Sequence, residues 1–130
     1  MVKVLIKDDL KADIYSLIKS NKKEVVLLLD GVRRQNEVEV YAIVPMKNTA
    51  RSAFAFIVEE EDFIRAEEQI RHGIVGLFHS HKSSTKLSES DVSQLKKTDY
   101  PWVVGSVCGE ELVLSGYCLD RGEIEGVEVS

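Results

Sequence analysis

Cysteine, proline and long hydrophobic runs are scarce in this 130-residue sequence. Two Cys and two Pro leave no room for a disulfide framework or a four-thiolate metal site. Apolar runs such as Val25–Leu29 are far shorter than the roughly 18–20 residues that span a bilayer. The N-terminal residues also lack the apolar segment of a signal peptide. We therefore expect a cytoplasmic protein that has no membrane partner.

The sequence also has no excess of positive charge. The chain has 17 Lys and Arg against 22 Asp and Glu, a net charge of −5, which argues against a nucleic-acid partner. Hydrophobic residues make up 44% and charged residues 30%, proportions that exclude a disordered chain. A length of 130 residues is typical of one domain, so we expect a single domain over residues 1–130.

The two cysteines lie in a predicted hairpin near the C-terminus. A turn at Gly109-Glu110 would place Cys108 beside Glu111 and Cys118 near Pro101. The two thiols would then not face each other, so we expect both to be free.

Hydrophobic periodicity predicts strands and helices in an irregular order. The predicted helices are Asp8–Ser20, Glu60–His72 and Ser88–Lys97. The predicted strands are Val2–Ile6, Val25–Leu29, Val38–Val44, Phe54–Val58, Ile74–Phe78, Trp102–Val107, Leu112–Leu119 and Ile124–Val129, with a turn over Gly31–Asn36. Because hairpins and single helices alternate without a regular pattern, we expect an α+β fold, a mixed β-sheet flanked by helices.

Two histidines stand two residues apart at the end of a predicted buried strand. Residues i and i+2 of a strand point to the same side, so the imidazoles of His79 and His81 should converge, as a shared metal requires. Asp91 follows ten residues later at a predicted helix start, and one loop could return its carboxylate to the same place. Two His and one Asp would leave one position of a tetrahedral zinc open for water, as catalytic sites do. Zinc lowers the pKa of such a water, and a nearby carboxylate usually accepts its proton.

Each of these residues also has an ordinary structural explanation. His79 and His81 could be a surface or hydrogen-bonded pair, Asp91 a first-turn acid of a helix, and Ser88 its N-cap. The residue types alone leave both interpretations open. Their joint spacing is a stronger signal for a metal site than any one residue, but spacing alone does not decide between the two interpretations.

The order of these residues resembles the signature of the JAMM (MPN+) zinc metalloproteases. The matching strings are EVVLLLDG with Glu24, GLFHSH ending at His81, and Ser88-x-x-Asp91. The resemblance extends from about Leu5 to about Leu119. It implies the MPN fold, a mixed sheet flanked by helices and similar to cytidine deaminases.

The resemblance also implies a role for each matching residue. His79, His81 and Asp91 would bind Zn²⁺, and Glu24 would accept the proton of the attacking water and pass it to the leaving amine. Ser88 would donate a hydrogen bond to the oxyanion. The implied activity is hydrolysis of isopeptide or peptide bonds after the C-terminal Gly-Gly of a ubiquitin-like or sulfur-carrier protein.

Two departures from the family pattern are visible. Six residues, rather than the family's usual seven, separate His81 from Ser88, and Lys82 replaces the usual proline. The six-residue loop still has ample reach to return Asp91. The identity of the modifier and of its acceptor, and whether the protein is a homodimer, stay open.

Two other classes of protein compete with this interpretation. A catalytically silent MPN-type scaffold is one, but it would have no need for the complete set of site residues. Another zinc hydrolase is the second: a cytidine deaminase needs Cys-x-x-Cys, and Cys108 and Cys118 are too far apart. A metallo-β-lactamase needs His-x-His-x-Asp-His, whereas this chain continues with Lys82.

Overall fold

The computed structural model describes residues 2–52 and 55–130. In that part of the chain it has seven strands and three helices. The helices are α1 (Asp8–Ser20), α2 (Glu60–Glu67) and α3 (Glu89–Leu95), and the strands are β1 (Lys3–Ile6), β2 (Val26–Arg34), β3 (Glu37–Met46), β4 (Ile74–Ser80), β5 (Trp102–Cys108), β6 (Glu111–Asp120) and β7 (Glu123–Val129). None of the helices in these residues is long and apolar enough to cross a membrane.

The strands close into a barrel in the order β1-β3-β2-β4-β5-β6-β7. The short strand β1 closes it, because it pairs in parallel with both β3 and β7; Lys3 lies beside Glu37 on one side and Glu128 on the other. The β4–β5 pair is also parallel, and the remaining neighbours are antiparallel.

The expected fold, an α+β sheet flanked by helices of the MPN, cytidine deaminase-like type, is therefore wrong. Among the described strands the sheet closes on itself without an open edge, since β1 is hydrogen-bonded on both sides. The three helices have only 13, 8 and 7 residues and cover limited parts of the barrel. Periodicity could identify most strands, but it could not show that the N-terminal strand pairs with the C-terminal one.

The first six residues of β2 are buried on both faces of the sheet, as the apolar run predicts. Val25, Leu27 and Leu29 pack with Ile14 of α1 in one core cluster. The residues between them, such as Leu28, pack in a second cluster with Ala66 of α2, Leu95 of α3 and Trp102 of β5. The wall of the barrel thus separates two cores, and α2 and α3 lie on one side of it.

Other boundaries differ from the predicted ones. The helix over Asp8–Ser20 is confirmed, whereas the helix from Glu60 ends at Glu67 instead of His72. The predicted Gly31–Asn36 turn is confined to residues 35–36, because β2 continues to Arg34 through a bulge at Asp30-Gly31. A Cβ at Gly31 would lie 1.9 Å from the carbonyl oxygen of Glu39, so only glycine allows this close strand approach.

The predicted strand Phe54–Val58 is not formed where the chain is described. Residues 55–59 are irregular, and Phe54 lies outside the described residues. Phe56 and Val58 nevertheless pack against the second core cluster. Their alternation therefore reflects burial of every second side chain without strand pairing.

The predicted hairpin of the two cysteines is confirmed. Cys108 lies opposite Glu111, and the register of Trp102 with Tyr117 places Cys118 away from it. Both thiols are free.

The side chain of Asp30 is hydrogen-bonded to the chain segment that precedes β4. Its buried carboxylate accepts hydrogen bonds from the backbone N–H groups of Arg71, His72 and Gly73, at 2.9, 2.9 and 3.2 Å. Burial opposes ionisation, but the three donors outweigh it and hold the pKa of Asp30 below its usual value. The ionised carboxylate therefore stabilises the start of β4.

We expect Asp30→Ala to lower the free energy of unfolding by about 2–4 kcal/mol, because three backbone donors lose a charged acceptor. The lowered pKa means that this contribution is present near neutral pH and is lost as the pH falls through the folded-state pKa. Urea unfolding of both proteins should show a full difference at neutral pH and a smaller one in acid. The exposed Asp13→Ala is the control, and an equal loss in that variant would contradict the assignment.

Candidate metal centre

The end of β4 and the start of β2 place three of the predicted site residues side by side. His79 pairs with Val26 in the antiparallel β2–β4 ladder. One step further, Ser80 N–H donates to the Val25 carbonyl at 2.9 Å, and Ser80 Oγ accepts from Val25 N–H at 2.8 Å. Continuing this register places Glu24 across from His81. The ladder therefore delivers a carboxylate and two imidazoles to one end of the sheet.

The helix α3 supplies the fourth residue. Ser88 is its N-cap: Ser88 Oγ accepts from Asp91 N–H at 3.0 Å, and Asp91 Oδ2 accepts from Ser88 N–H at 2.9 Å. This reciprocal capping box orients the Asp91 carboxylate towards the barrel. Asp91 is consequently buried, although it belongs to the first turn of a short helix.

Three side-chain atoms of the site lie at nearly equal distances from one another. Asp91 Oδ2 lies 3.1 Å from His79 Nε2 and 3.0 Å from His81 Nε2. The two Nε2 atoms are 3.1 Å apart. The spacing of two residues at a strand end thus brings both rings to the same carboxylate oxygen.

This triangle fits one face of a tetrahedral zinc site. Zinc bonds of about 2.0–2.1 Å to nitrogen and oxygen separate neighbouring ligand atoms by about 3.3–3.4 Å, slightly more than the observed distances. Two imidazole nitrogens and one carboxylate oxygen are also ligands that zinc prefers. His79, His81 and Asp91 could therefore hold this ion with little movement.

The charges of the three groups also suit a divalent cation. Burial lowers the pKa of His79, which favours the neutral ring that can bind a metal. Burial opposes ionisation of Asp91, but hydrogen bonds from His79 and His81 outweigh it and hold its pKa far below the usual range. The hydrogen bond to Asp91 raises the pKa of His81. A proton at His81 therefore competes with a metal as the pH falls.

Glu24 stands beside this triangle and is itself buried. A ligand atom of each of Glu24, His79 and His81 lies within 4.8 Å of the other two. Burial raises the pKa of Glu24 to about 7; the charge of His81 opposes the rise, and the charge of Asp91 adds to it. A carboxylate with such a pKa is suited to exchanging protons near neutral pH.

Two aromatic rings pack against the imidazole of His79. Its ring centroid lies 4.8 Å from that of Phe56 and 5.5 Å from that of Trp102. In the described part of the chain, His79 Nδ1 is buried without a hydrogen-bond partner. Most zinc-bound histidines donate this second N–H to an acceptor, so His79 departs from that pattern.

Asn48 is a site neighbour that the sequence does not single out. It follows β3, and the β2–β3 register places it beside Glu24 on the side opposite His81. Its Nδ2 donates to the carbonyl of Glu24 at 2.9 Å and to that of Ala55 at 3.0 Å, and its Oδ1 accepts from Ile57 N–H at 3.0 Å. Asn48 therefore holds the Glu24 backbone against the 55–57 segment. No local motif marks it; only the pairing of β2 with β3 does.

Comparison with known proteins concerns the fold alone. No family model and no curated protein matches the sequence. The solution structure of a Desulfitobacterium hafniense protein, a structural-genomics target, has a TM-score of 0.81 at 18% identity, over 99% of this chain and 92% of that one. A Salinibacter ruber solution structure has a TM-score of 0.68 at 18% identity, over 99% and 90%. Both proteins thus share the fold of this chain over nearly all of its length.

Purified protein should bind zinc at an equal molar ratio, and His81→Ala should lose this binding because one of three converging ligands is removed. His72→Ala is the matched control, since His72 is exposed and outside the triangle. Equilibrium dialysis followed by elemental analysis measures the zinc bound by the wild type and by each variant. Binding should weaken as the pH is lowered, because protons compete for His81. Stoichiometric zinc in His81→Ala would contradict the assignment.

Proposed function

We propose that this chain is a zinc-dependent hydrolase that cuts isopeptide or peptide bonds after the C-terminal Gly-Gly of a ubiquitin-like or sulfur-carrier protein. One observation carries the proposal: three ligand atoms converge at 3.0–3.1 Å, with the buried carboxylate of Glu24 beside them. The resemblance of these residues to the JAMM signature supports the choice of bond and substrate. The barrel itself gives no support to either.

Zinc held by His79, His81 and Asp91 would lower the pKa of a water molecule towards neutrality. Glu24 is the base in this proposal. Its raised pKa and its position within 4.8 Å of the histidine ligand atoms let it take a proton from the attacking water. The same carboxylic acid then gives the proton to the leaving nitrogen, which cannot depart as an anion.

Ser88 is the proposed donor to the oxyanion. Its Oγ accepts the Asp91 N–H, but its own hydroxyl proton remains free to donate. Ser88, Glu24 and His81 line the same surface cavity of about 220 Å³. A carbonyl bound in this cavity would therefore lie between the base and the hydroxyl.

Glu24→Gln should retain zinc and lose hydrolysis by about 10²–10⁴-fold, because the amide keeps the shape of the side chain but cannot accept the proton. The substrate is a ubiquitin-like protein joined through its C-terminal Gly-Gly to a reporter, by a peptide bond or by a lysine isopeptide bond. Cleavage is followed by gel electrophoresis and mass spectrometry, with and without a zinc chelator.

The exposed Glu123→Gln is the matched control and should cleave like the wild type. A substrate whose Gly-Gly is replaced by Val-Val tests whether the enzyme requires a narrow tail. Chelator-resistant cleavage, or full activity in Glu24→Gln, would refute the mechanism. Zinc binding without cleavage of either substrate would instead favour the silent scaffold.

A further inference from the structure

Six lysines line the cavities around Glu24, beside the candidate metal centre, although the chain as a whole is acidic. Three surface cavities of about 360, 280 and 220 Å³ meet at Glu24. The lysines that line them are Lys19, Lys22, Lys23, Lys47, Lys82 and Lys86, and all six are exposed. Among the described residues that line these cavities, Glu24 is the one acidic side chain. We call these six residues the lysine ring.

The fold assembles the lysine ring from four separate segments. Lys19 lies in the last turn of α1, Lys22 and Lys23 lie in the connection to β2, and Lys47 follows β3. Lys82 and Lys86 lie in the loop between β4 and α3. Because these segments meet at one end of the barrel, positive charge collects around the Glu24 carboxylate while the acidic excess lies elsewhere.

In the described part of the chain, no lysine of the ring forms an ion pair with an acidic side chain, although the charge of Lys82 acts on Glu24 and that of Lys47 on Asp62. In the described residues, the Lys and Arg ion pairs join Lys3 to Glu128, Arg34 to Glu39 and Arg65 to Asp62. None of these includes a ring lysine. Six lysine charges against the single lining carboxylate of Glu24 leave a local excess of positive charge, and this excess favours a ligand of opposite charge.

We propose that the lysine ring binds acidic side chains in the segment that precedes the scissile bond, so that the substrate is a protein with an acidic C-terminal tail. This inference rests on the proposed function and adds the charge of its substrate. The cavities extend from Glu24 on several sides, and one carboxylate could not reach all six lysines. An extended tail with several carboxylates could.

The chemistry of the ring favours a polypeptide over a nucleic acid. No arginine, phenylalanine, tyrosine or tryptophan lines the three cavities in the described part of the chain. Arginine provides the bidentate contact to phosphate, and aromatic rings stack with unpaired bases. Lysine alone provides mobile point charges, which suit the scattered carboxylates of an acidic tail.

The test measures binding of a product, so that it does not depend on hydrolysis. The probes are a fluorescent peptide that carries glutamates before a C-terminal Gly-Gly and a matched peptide with glutamines in their place. Fluorescence anisotropy with the full-length wild-type protein should give at least about tenfold tighter binding of the acidic peptide, an advantage that shrinks as salt is added.

Two double variants locate the binding site. Lys22→Gln with Lys23→Gln, and Lys82→Gln with Lys86→Gln, should each remove most of the advantage of the acidic peptide. Lys96→Gln with Lys97→Gln is the control: it removes the same charge from exposed positions outside the cavities and should retain the advantage. Circular dichroism verifies that each variant is folded.

Equal affinity for the two peptides, or an equal loss in the control, would overturn the inference. A single-stranded oligonucleotide that binds more tightly than the acidic peptide, with the same dependence on the ring lysines, would also overturn it. Acidic-peptide binding without cleavage of any Gly-Gly substrate would leave the lysine ring established and refute the proposed function. Cleavage without a preference for acidic tails would support the proposed function and overturn the proposed role of the lysine ring.

Discussion

One carboxylate oxygen, Asp91 Oδ2, joins the helix α3 to the barrel. It accepts the backbone N–H of the helix N-cap and faces the Nε2 atoms of both His79 and His81. A buried carboxylate without partners is costly, so the helix start, the end of β4 and the ionised state of Asp91 depend on one another. These three features meet at the candidate metal centre, where the buried Asp91 carboxylate has its partners.

The barrel contributes the position of the base. β2 lies between β3 and β4, and its register determines the neighbours of the residue that precedes it. Glu24 is therefore flanked by His81 on one side and Asn48 on the other. Ser80, between the two histidines, completes this arrangement, because its hydroxyl accepts the N–H of Val25. A shift by one residue in either ladder would move Glu24 away from the histidines.

Local patterns were sufficient for the parts of the molecule that depend on near neighbours. The Asp8–Ser20 helix, the doubly buried Val25–Leu29 run and the Ser88 N-cap follow from spacing and composition. The closure of the barrel could not be predicted from such patterns, because it depends on pairing of β1 with β7 at the far end of the chain. For the same reason the MPN fold inferred from the resemblance was wrong, even though the residues that carry the resemblance do meet in space. Asn48 and the lysine ring were missed because each depends on segments distant in sequence.

NMR tests most directly whether the two histidines share one metal through their Nε2 atoms. Long-range ¹H–¹⁵N correlation spectra of the imidazoles, recorded during a zinc titration, report each ring nitrogen separately. We expect the Nε2 resonances of His79 and His81 to shift together, with saturation at one zinc per chain and with His72 unchanged. Unchanged spectra for His79 and His81, or an equal shift at His72, would contradict this expectation.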